Sequence, residues 1–422
     1  MSWLGAIKNS MKKNFYQGLL SNTIFLMLAT LIKRGALFIV NIVLIRGMTQ
    51  EQYGLFSFLR TSISTVEGIA SATLGSVMIR EVARSEKANI GAYIILNVVI
   101  SFIVFSIIFI LNKFSLDIDN ENYVGFETVV YGVLLYLLIL LSNILQVVLV
   151  GKESFKLVFY SNFLAYILSP IVLLWAFNDL NVNSGIRVLC VFYGLESVIK
   201  TIAVSKKFSV NWLPIGKLVL DFLKRVKSSV GLLFFGTLIS SYALWFSRAN
   251  LLDSFQGNIA LANFDACFQL LTVIMLVTGV STSVFLPRIS KSCNDDRKKL
   301  LKANMVTNSV FVLVVGVFIF YTKSYFLDFL GEGYVNRENE SIVDILILTS
   351  LFFTLNSCMN KYYISSGREF IILTASIISG AFLSISSFFL TNGSAFNLSV
   401  ILTSYYIVSF FVYAFFYISR EE

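Results

Sequence analysis

The chain has 422 residues, 57% of them hydrophobic and 14% charged, with a mean hydropathy of +0.79. Soluble chains carry about 25% charged residues, so this much apolar surface excludes a water-soluble globular protein and leaves lipid as the solvent. The net charge of +9 sits in short connectors between apolar runs, which is how membrane topology is written and not how a nucleic acid is bound.

No cleavable signal-peptide pattern opens the chain. Residues 1–20 instead place Trp3, Leu4, Ile7, Met11 and Phe15 at helical spacing beside Lys8, Lys12 and Lys13, the pattern of a basic helix lying on a membrane face. A hydrocarbon layer needs about 20 apolar residues per helix, and twelve segments supply them. In the first half these are 22–45, 54–79, 90–111, 128–150, 157–177 and 186–204. In the second half they are 230–252, 262–286, 303–321, 342–359, 370–390 and 396–418. The expected fold is all-α and polytopic: one six-helix bundle over 21–204, a basic linker over 205–229 with Pro214 near its middle, and a second bundle over 230–422.

Charge tests this map. With the N-terminus inside, the inner segments collect Lys8, Lys12 and Lys13, then Arg80, Arg84 and Lys87, then Lys152 and Lys156. Six more follow between Lys206 and Lys227, six between Arg288 and Lys302, and then Lys361, Arg368 and Arg420. The outer segments hold only Arg46, Lys113, Lys323 and Arg337. That asymmetry puts both termini in the cytoplasm. The two halves also echo each other: "LGSVMIREVAR" (74–84) closes the second span as "TSVFLPRISKS" (282–292) closes the eighth. Paired bundles of this kind suit a pseudo-two-fold transporter.

Charges inside spans are expensive, about 2.5–3.5 kcal/mol each on insertion scales, and so are functional candidates. In the second span Ser57, Arg60, Ser64, Glu67 and Ser71 recur every three or four residues, one stripe on one face. In the first span Thr30, Arg34 and Asn41 share a face with Thr23, and Lys33 is adjacent. The seventh span offers Thr237, Ser241 and Arg248, and the eighth Asp265, Gln269 and Thr272. These are the leading helix pairs of the two halves, so a polar cavity between the halves would be lined by them. The alternative is that the hydroxyls and amides simply hydrogen-bond helix to helix, that Lys33 pairs with Glu67, and that Arg248 snorkels to an interface. Lys33, Arg34, Arg60 and Arg248 outnumber Glu67 and Asp265. A net-positive cavity fits an anion, and phosphate matches the guanidinium fork.

Other chemistry finds no support. The chain has no histidine, which excludes His catalysis, His metal ligation and His pH switches. Cys190, Cys267 and Cys358 lie in apolar segments and Cys293 in a basic loop, none with metal-ligand spacing. No cofactor, metal or nucleotide-binding motif is present.

Several segments resemble bacterial polysaccharide exporters, notably Wzx-type O-antigen flippases of the multidrug/oligosaccharidyl-lipid/polysaccharide exporter superfamily. They are "MTQEQYGLFSFLRTSISTVEGIASATLGSVMIREVAR" (48–84), "LVGKESFKLVFYSNF" (149–163), "NIALANFDACFQL" (258–270) and "VFLPRISKS" (284–292). The resemblance implies two six-helix bundles around a V-shaped central cavity. It also implies a passenger, an undecaprenyl-diphosphate-linked oligosaccharide carried between leaflets of the bacterial inner membrane. Partners would be membrane lipids and other polysaccharide-assembly proteins. By position, Arg34, Arg60 and Arg248 would meet the diphosphate; the residues themselves add Lys33 as a further candidate for substrate binding and Glu67 and Asp265 as candidate proton or sodium sites. Phe264 stands where the family commonly has a tyrosine. A multidrug antiporter would share the fold but needs an acid-dominated cavity. A membrane-embedded O-antigen polymerase would carry a large outer loop, and the outer loops here are short. A purely structural membrane scaffold leaves the span arginines without a purpose.

Overall fold

A computed structural model describes residues 2–84, 90–115, 126–167, 180–209, 212, 216–254, 256–291, 294–389 and 394–419. Among them are twelve α-helices and no strand: α1 (Ser2–Gly47), α2 (Gln50–Arg84), α3 (Ile90–Ser115), α4 (Phe126–Gly151), α5 (Phe155–Ile167) and α6 (Val182–Lys207) form the first half. The second half holds α7 (Gly216–Leu252), α8 (Gly257–Lys291), α9 (Asn294–Leu330), α10 (Arg337–Ser365), α11 (Glu369–Phe389) and α12 (Ala395–Ile418). Helices satisfy every backbone polar group within the segment, which lipid demands. Polar residues start them: Asn181 caps α6 in a capping box with Ser184, Asn336 caps α10, and Ser394 caps α12. Gly367, at φ 68°, ends α10 in a Schellman turn, with Arg368 N–H reaching Tyr363 O and Gly367 N–H reaching Ile364 O.

Two helices run further than the hydropathy pattern suggests. The basic segment 1–20 is not a separate interfacial helix, because α1 continues unbroken from Ser2 to Gly47 with no proline to interrupt it. At 1.5 Å per residue α1 is roughly 70 Å long, against a hydrocarbon layer of about 30 Å, so its first turns project beyond the membrane core. The connector after α6 is likewise helical from Gly216, so Lys217, Lys224, Arg225 and Lys227 lie in the first turns of α7. Residues 168–177 of the expected fifth span lie outside the described residues. Seven helices are long and apolar enough to cross a membrane among the described residues, with Ile90–Val104 and Phe155–Ile167 as shorter apolar helices. The outward side chains agree: Tyr325 is 80% exposed, Tyr321 75% and Phe102 71%, a surface that only lipid covers in a monomer. The chain is a multi-pass membrane protein.

The helix pairings repeat with an offset of six. α1 packs on α5 as α7 packs on α11, α2 on α4 as α8 on α10, and α4 on α6 as α10 on α12. The weak sequence echo between the halves therefore reflects a real structural repeat. Across the halves, α2 packs on both α7 and α8. The apolar core is undivided near the connections 48–49, 253–256 and 331–336, where one cluster joins Val40, Met48 and Phe56 of the first half to Leu261, Phe264 and Leu346 of the second. Toward the other end the core divides. Met78, Val82 and Val204 belong to a cluster of the first half alone, and Leu301, Met359 and Tyr363 to one of the second alone. The halves thus meet at the end that the charge pattern assigns to the outside and, deeper in, through a cluster joining Ile69 and Val104 to Leu238, Trp245 and Phe246.

Gly54 makes that seal possible. A Cβ at this position would lie 2.0 Å from Asn258 O of α8, so the backbones of α2 and α8 touch. Such small-residue contacts are the usual way for helices to approach closely in lipid. Beside it, Gln50 Nε2 donates to Gly333 O at 2.8 Å. Gly54→Val should therefore push α2 off α8, lowering stability by roughly 1–3 kcal/mol. A melting temperature in detergent or nanodiscs equal to that of the parent protein would contradict the contact.

Candidate functional site

Of the polar residues on the four leading helices, two groups meet across the halves, Arg60 with Asn41 and Gln269, and Ser57 with Asp265 and Arg248. On α2, Arg60 Nη1 donates to Asn41 Oδ1 of α1. Asn41 Nδ2 in turn donates to Gln269 Oε1 of α8 at 3.2 Å. One turn nearer the seal, Ser57 Oγ donates to Asp265 Oδ2 of α8 at 2.5 Å, and Asp265 Oδ1 accepts from Arg248 Nη2 of α7 at 3.4 Å. Farther in, Trp245 Nε1 donates to Ser62 Oγ at 2.9 Å. Three polar links therefore stitch the two halves through α1, α2, α7 and α8. Asn41, Ser57, Asp265 and Gln269 are all buried within them.

The arginines differ in how they are held. Arg60, half-buried, has the neutral Asn41 as its hydrogen-bond partner, and among the described residues it forms no ion pair. Arg248 does not snorkel to an interface. Its guanidinium lies over the rings of Phe264 and Phe268 at 5.4 and 5.3 Å, and its side chain is only 12% exposed. Phe264, the position that is commonly tyrosine in the resembled family, serves as a cation–π platform, for which a phenyl ring suffices. Arg34 is exposed, with no hydrogen bond or ion pair among the described residues.

Lys33 is placed differently from the expectation. It pairs not with Glu67 but with Glu196 of α6, donating to both carboxylate oxygens at 3.0 and 3.1 Å. Glu196 also accepts from Lys200 at 2.5 Å and from the Tyr166 hydroxyl at 2.7 Å. Lys200 reaches Gln146 and Ser142 of α4 at 3.0 and 3.3 Å. Glu196 and Lys200 are fully buried. Sequence reasoning passed over this cluster, although its signal was present: a Glu and a Lys four residues apart inside a span, the spacing at which helical side chains meet. Glu67 Oε1 accepts from Asn143 Nδ2 at 2.5 Å and lines a small cavity of about 20 Å³ with Asn97 and Tyr136, room for about one water.

The remaining hydroxyls act locally. Thr30 donates to Leu26 O at 2.8 Å, Thr272 to Gln269 O at 2.7 Å, and the exposed Ser64 to Thr61 O at 3.0 Å. Ser241 is half-buried on α7, and the Ser71 side chain lies outside the described part. Among the described residues no three His, Cys, Asp or Glu side chains gather as a metal would require.

Two six-helix bundles of this topology are the architecture of the MATE and MOP transporters. A eukaryotic MATE transporter, AtDTX14, superposes with a TM-score of 0.70 at 16% identity over 95% of this chain and 96% of that one. A MOP superfamily transporter from Pyrococcus furiosus, described by the reverse polarity of its binding pocket, gives 0.64 at 14% identity over 96% of both chains. The Vibrio cholerae MATE transporter VcmN gives 0.63 at 14% over 97% of this chain and 98% of that one. A search of curated proteins found no match. The chain belongs to the polysaccharide biosynthesis protein family, whose model matches residues 19–293.

The Glu196 cluster yields a stability test. Removing one member of a buried ionic group strands the others and costs about 3–5 kcal/mol, whereas replacing a pair together costs far less. Glu196→Leu should therefore melt well below the parent protein, and adding Lys200→Met should recover part of the loss. A double variant no more stable than the single one would show that the two residues do not act as a pair.

Proposed function

We propose that this protein is a flippase that carries an undecaprenyl-diphosphate-linked oligosaccharide, an O-antigen repeat unit, across the bacterial inner membrane by alternating access. The observation that carries this reading is Arg60: a half-buried guanidinium at the junction of the halves whose hydrogen-bond partner is a neutral amide and whose other neighbour is the Phe56 ring, with no ion pair among the described residues. A charge held there needs water or an anion, and Arg34 and Arg248 stand on the neighbouring helices to share one. The diphosphate enters between the bundles from the cytoplasmic side, where the core is divided. Its oligosaccharide occupies the space between them and the polyprenyl tail stays in lipid. The bundles then rock about the site.

The energetics agree. A head group with about two negative charges leaving a negative cytoplasm gains roughly 2.3 kcal/mol per charge per 100 mV. Membrane potential thus favours export without a nucleotide. Both termini then lie in the cytoplasm, and the α1–α2, α7–α8 and α9–α10 connections face the periplasm. A multidrug antiporter on the same fold would select cations, which the surplus of arginines at this junction opposes.

Arg60→Ala should abolish surface polysaccharide in a cell that depends on this protein while leaving its membrane level normal. Undiminished export by that variant would overturn the assignment, and a fall in drug resistance with intact polysaccharide would replace it with the antiporter.

A further inference from the structure

Asp265 stands where the seal and the arginine site touch. One carboxylate oxygen faces Arg248 within the second half at 3.4 Å, and the other takes the Ser57 hydroxyl of the first half at 2.5 Å. Both partners are held independently of it. Arg248 is seated on two phenylalanine rings, and Ser57, fully buried on α2, lies one turn from the Gly54–Asn258 backbone contact. The Arg248 contact is a single long one, and its Nε is buried without a hydrogen-bond partner. Most of the guanidinium fork, which offers five donors, is therefore unspent. A carboxylate held this loosely is replaceable by an anion that fills the fork better.

We propose that Asp265 is the resident counter-ion of the anion site, and that an incoming diphosphate displaces it and thereby releases the outer seal. The inference rests on the anion-site reading above. Phosphate oxygens take the fork of Arg248 in bidentate fashion. The Asp265 carboxylate, now beside a like charge in a medium of low dielectric, is repelled from its place. Ser57 loses its acceptor, and the polar link that backs the α2–α8 contact is gone. Once the passenger has left, the carboxylate returns to Arg248 and Ser57 and draws the halves together again. One side chain thus biases a two-state element according to whether the site is loaded, which is what a ligand switch requires.

The full chain in nanodiscs, with inorganic pyrophosphate as probe, tests this. Asp265→Asn removes the competing charge and should tighten pyrophosphate binding at least about fivefold, the lower end of ordinary site-to-site coupling. Arg248→Ala and Arg60→Ala should weaken it. With Asn258→Cys placed at the seal and labelling of that thiol followed by mass spectrometry, pyrophosphate should speed maleimide reaction in the otherwise unaltered protein. In the Asp265→Asn and Ser57→Ala backgrounds labelling should be fast without it. Arginine variants that weaken binding, together with an Asp265→Asn variant that binds no tighter, would leave the anion site standing and overturn the counter-ion. Arginine variants that bind pyrophosphate like the parent would remove the anion site itself. Should Asp265→Asn fail to fold, slow labelling in the Ser57→Ala background suffices to overturn the proposal.

Discussion

Lipid supplies no hydrophobic drive between helices, since a lipid tail is as apolar as a leucine. Two bundles lying in a membrane must therefore be joined by close packing and polar contacts, and here the polar contacts gather toward one end, with an apolar cluster joining Ile69 and Val104 to Leu238, Trp245 and Phe246 deeper in. Gly54 lets backbone meet backbone, and behind it come Ser57 with Asp265 and Asn41 with Gln269. Hydrogen bonds between membrane helices contribute on the order of 0.6 kcal/mol each. A junction built from a handful of them is strong enough to define a state and weak enough to be exchanged for another. Each half, by contrast, keeps its own apolar cluster at the opposite end.

The two groups of charges in the membrane interior differ in kind, and the difference separates scaffold from site. Glu196 is saturated: two ammonium groups and a phenol converge on its oxygens, and Lys200 finds two further acceptors on α4. Breaking such a group is costly, and its four helices, α1, α4, α5 and α6, all belong to one half. It locks that half together. The arginine group spans both halves and is underpaired, with a neutral amide on Arg60 and one long contact on Arg248. Under-satisfaction of this sort is expected where a ligand completes the coordination. Lys33, whose ammonium is bound to both Glu196 oxygens, belongs to the first group despite sitting beside Arg34 in the chain.

Most of the fold was legible because hydropathy and loop charge report on lipid directly, and the helical stripes of α1, α2, α7 and α8 contained Asn41, Ser57, Arg60, Arg248, Asp265 and Gln269, which meet at the junction, beside others such as Glu67 and Ser64, which do not. Partners were not legible. Helical periodicity assigns a face but not the neighbour it meets, so Lys33 and Glu67 looked like a pair on adjacent helices, while packing of α1 against α5, which itself packs on α6, gave Lys33 to Glu196. The extent of α1 and α7 was hidden for a similar reason. Hydropathy marks where lipid ends, whereas a helix ends only where a cap or a breaker stops it, and the basic turns of both continue the backbone bonds beyond the apolar run. Nothing in the spacing of Asp265 distinguished an ion site from a counter-ion, because that depends on Arg248 and Ser57 approaching it from two other helices.

The sign of the charge at the junction restricts which passengers the fold accepts more firmly than its shape does. A helical-bundle transporter that carries cations must offer uncompensated carboxylates to them. Of the carboxylates in the membrane interior, Glu196 is saturated by two lysines, Glu67 accepts from an amide, and Asp265 faces an arginine and a serine. The groups left with spare capacity are guanidinium donors. A buried cation with few partners is tolerated where water or an anion reaches it, so on the anion-site proposal the feature that makes this junction costly to maintain when empty would make it selective when loaded.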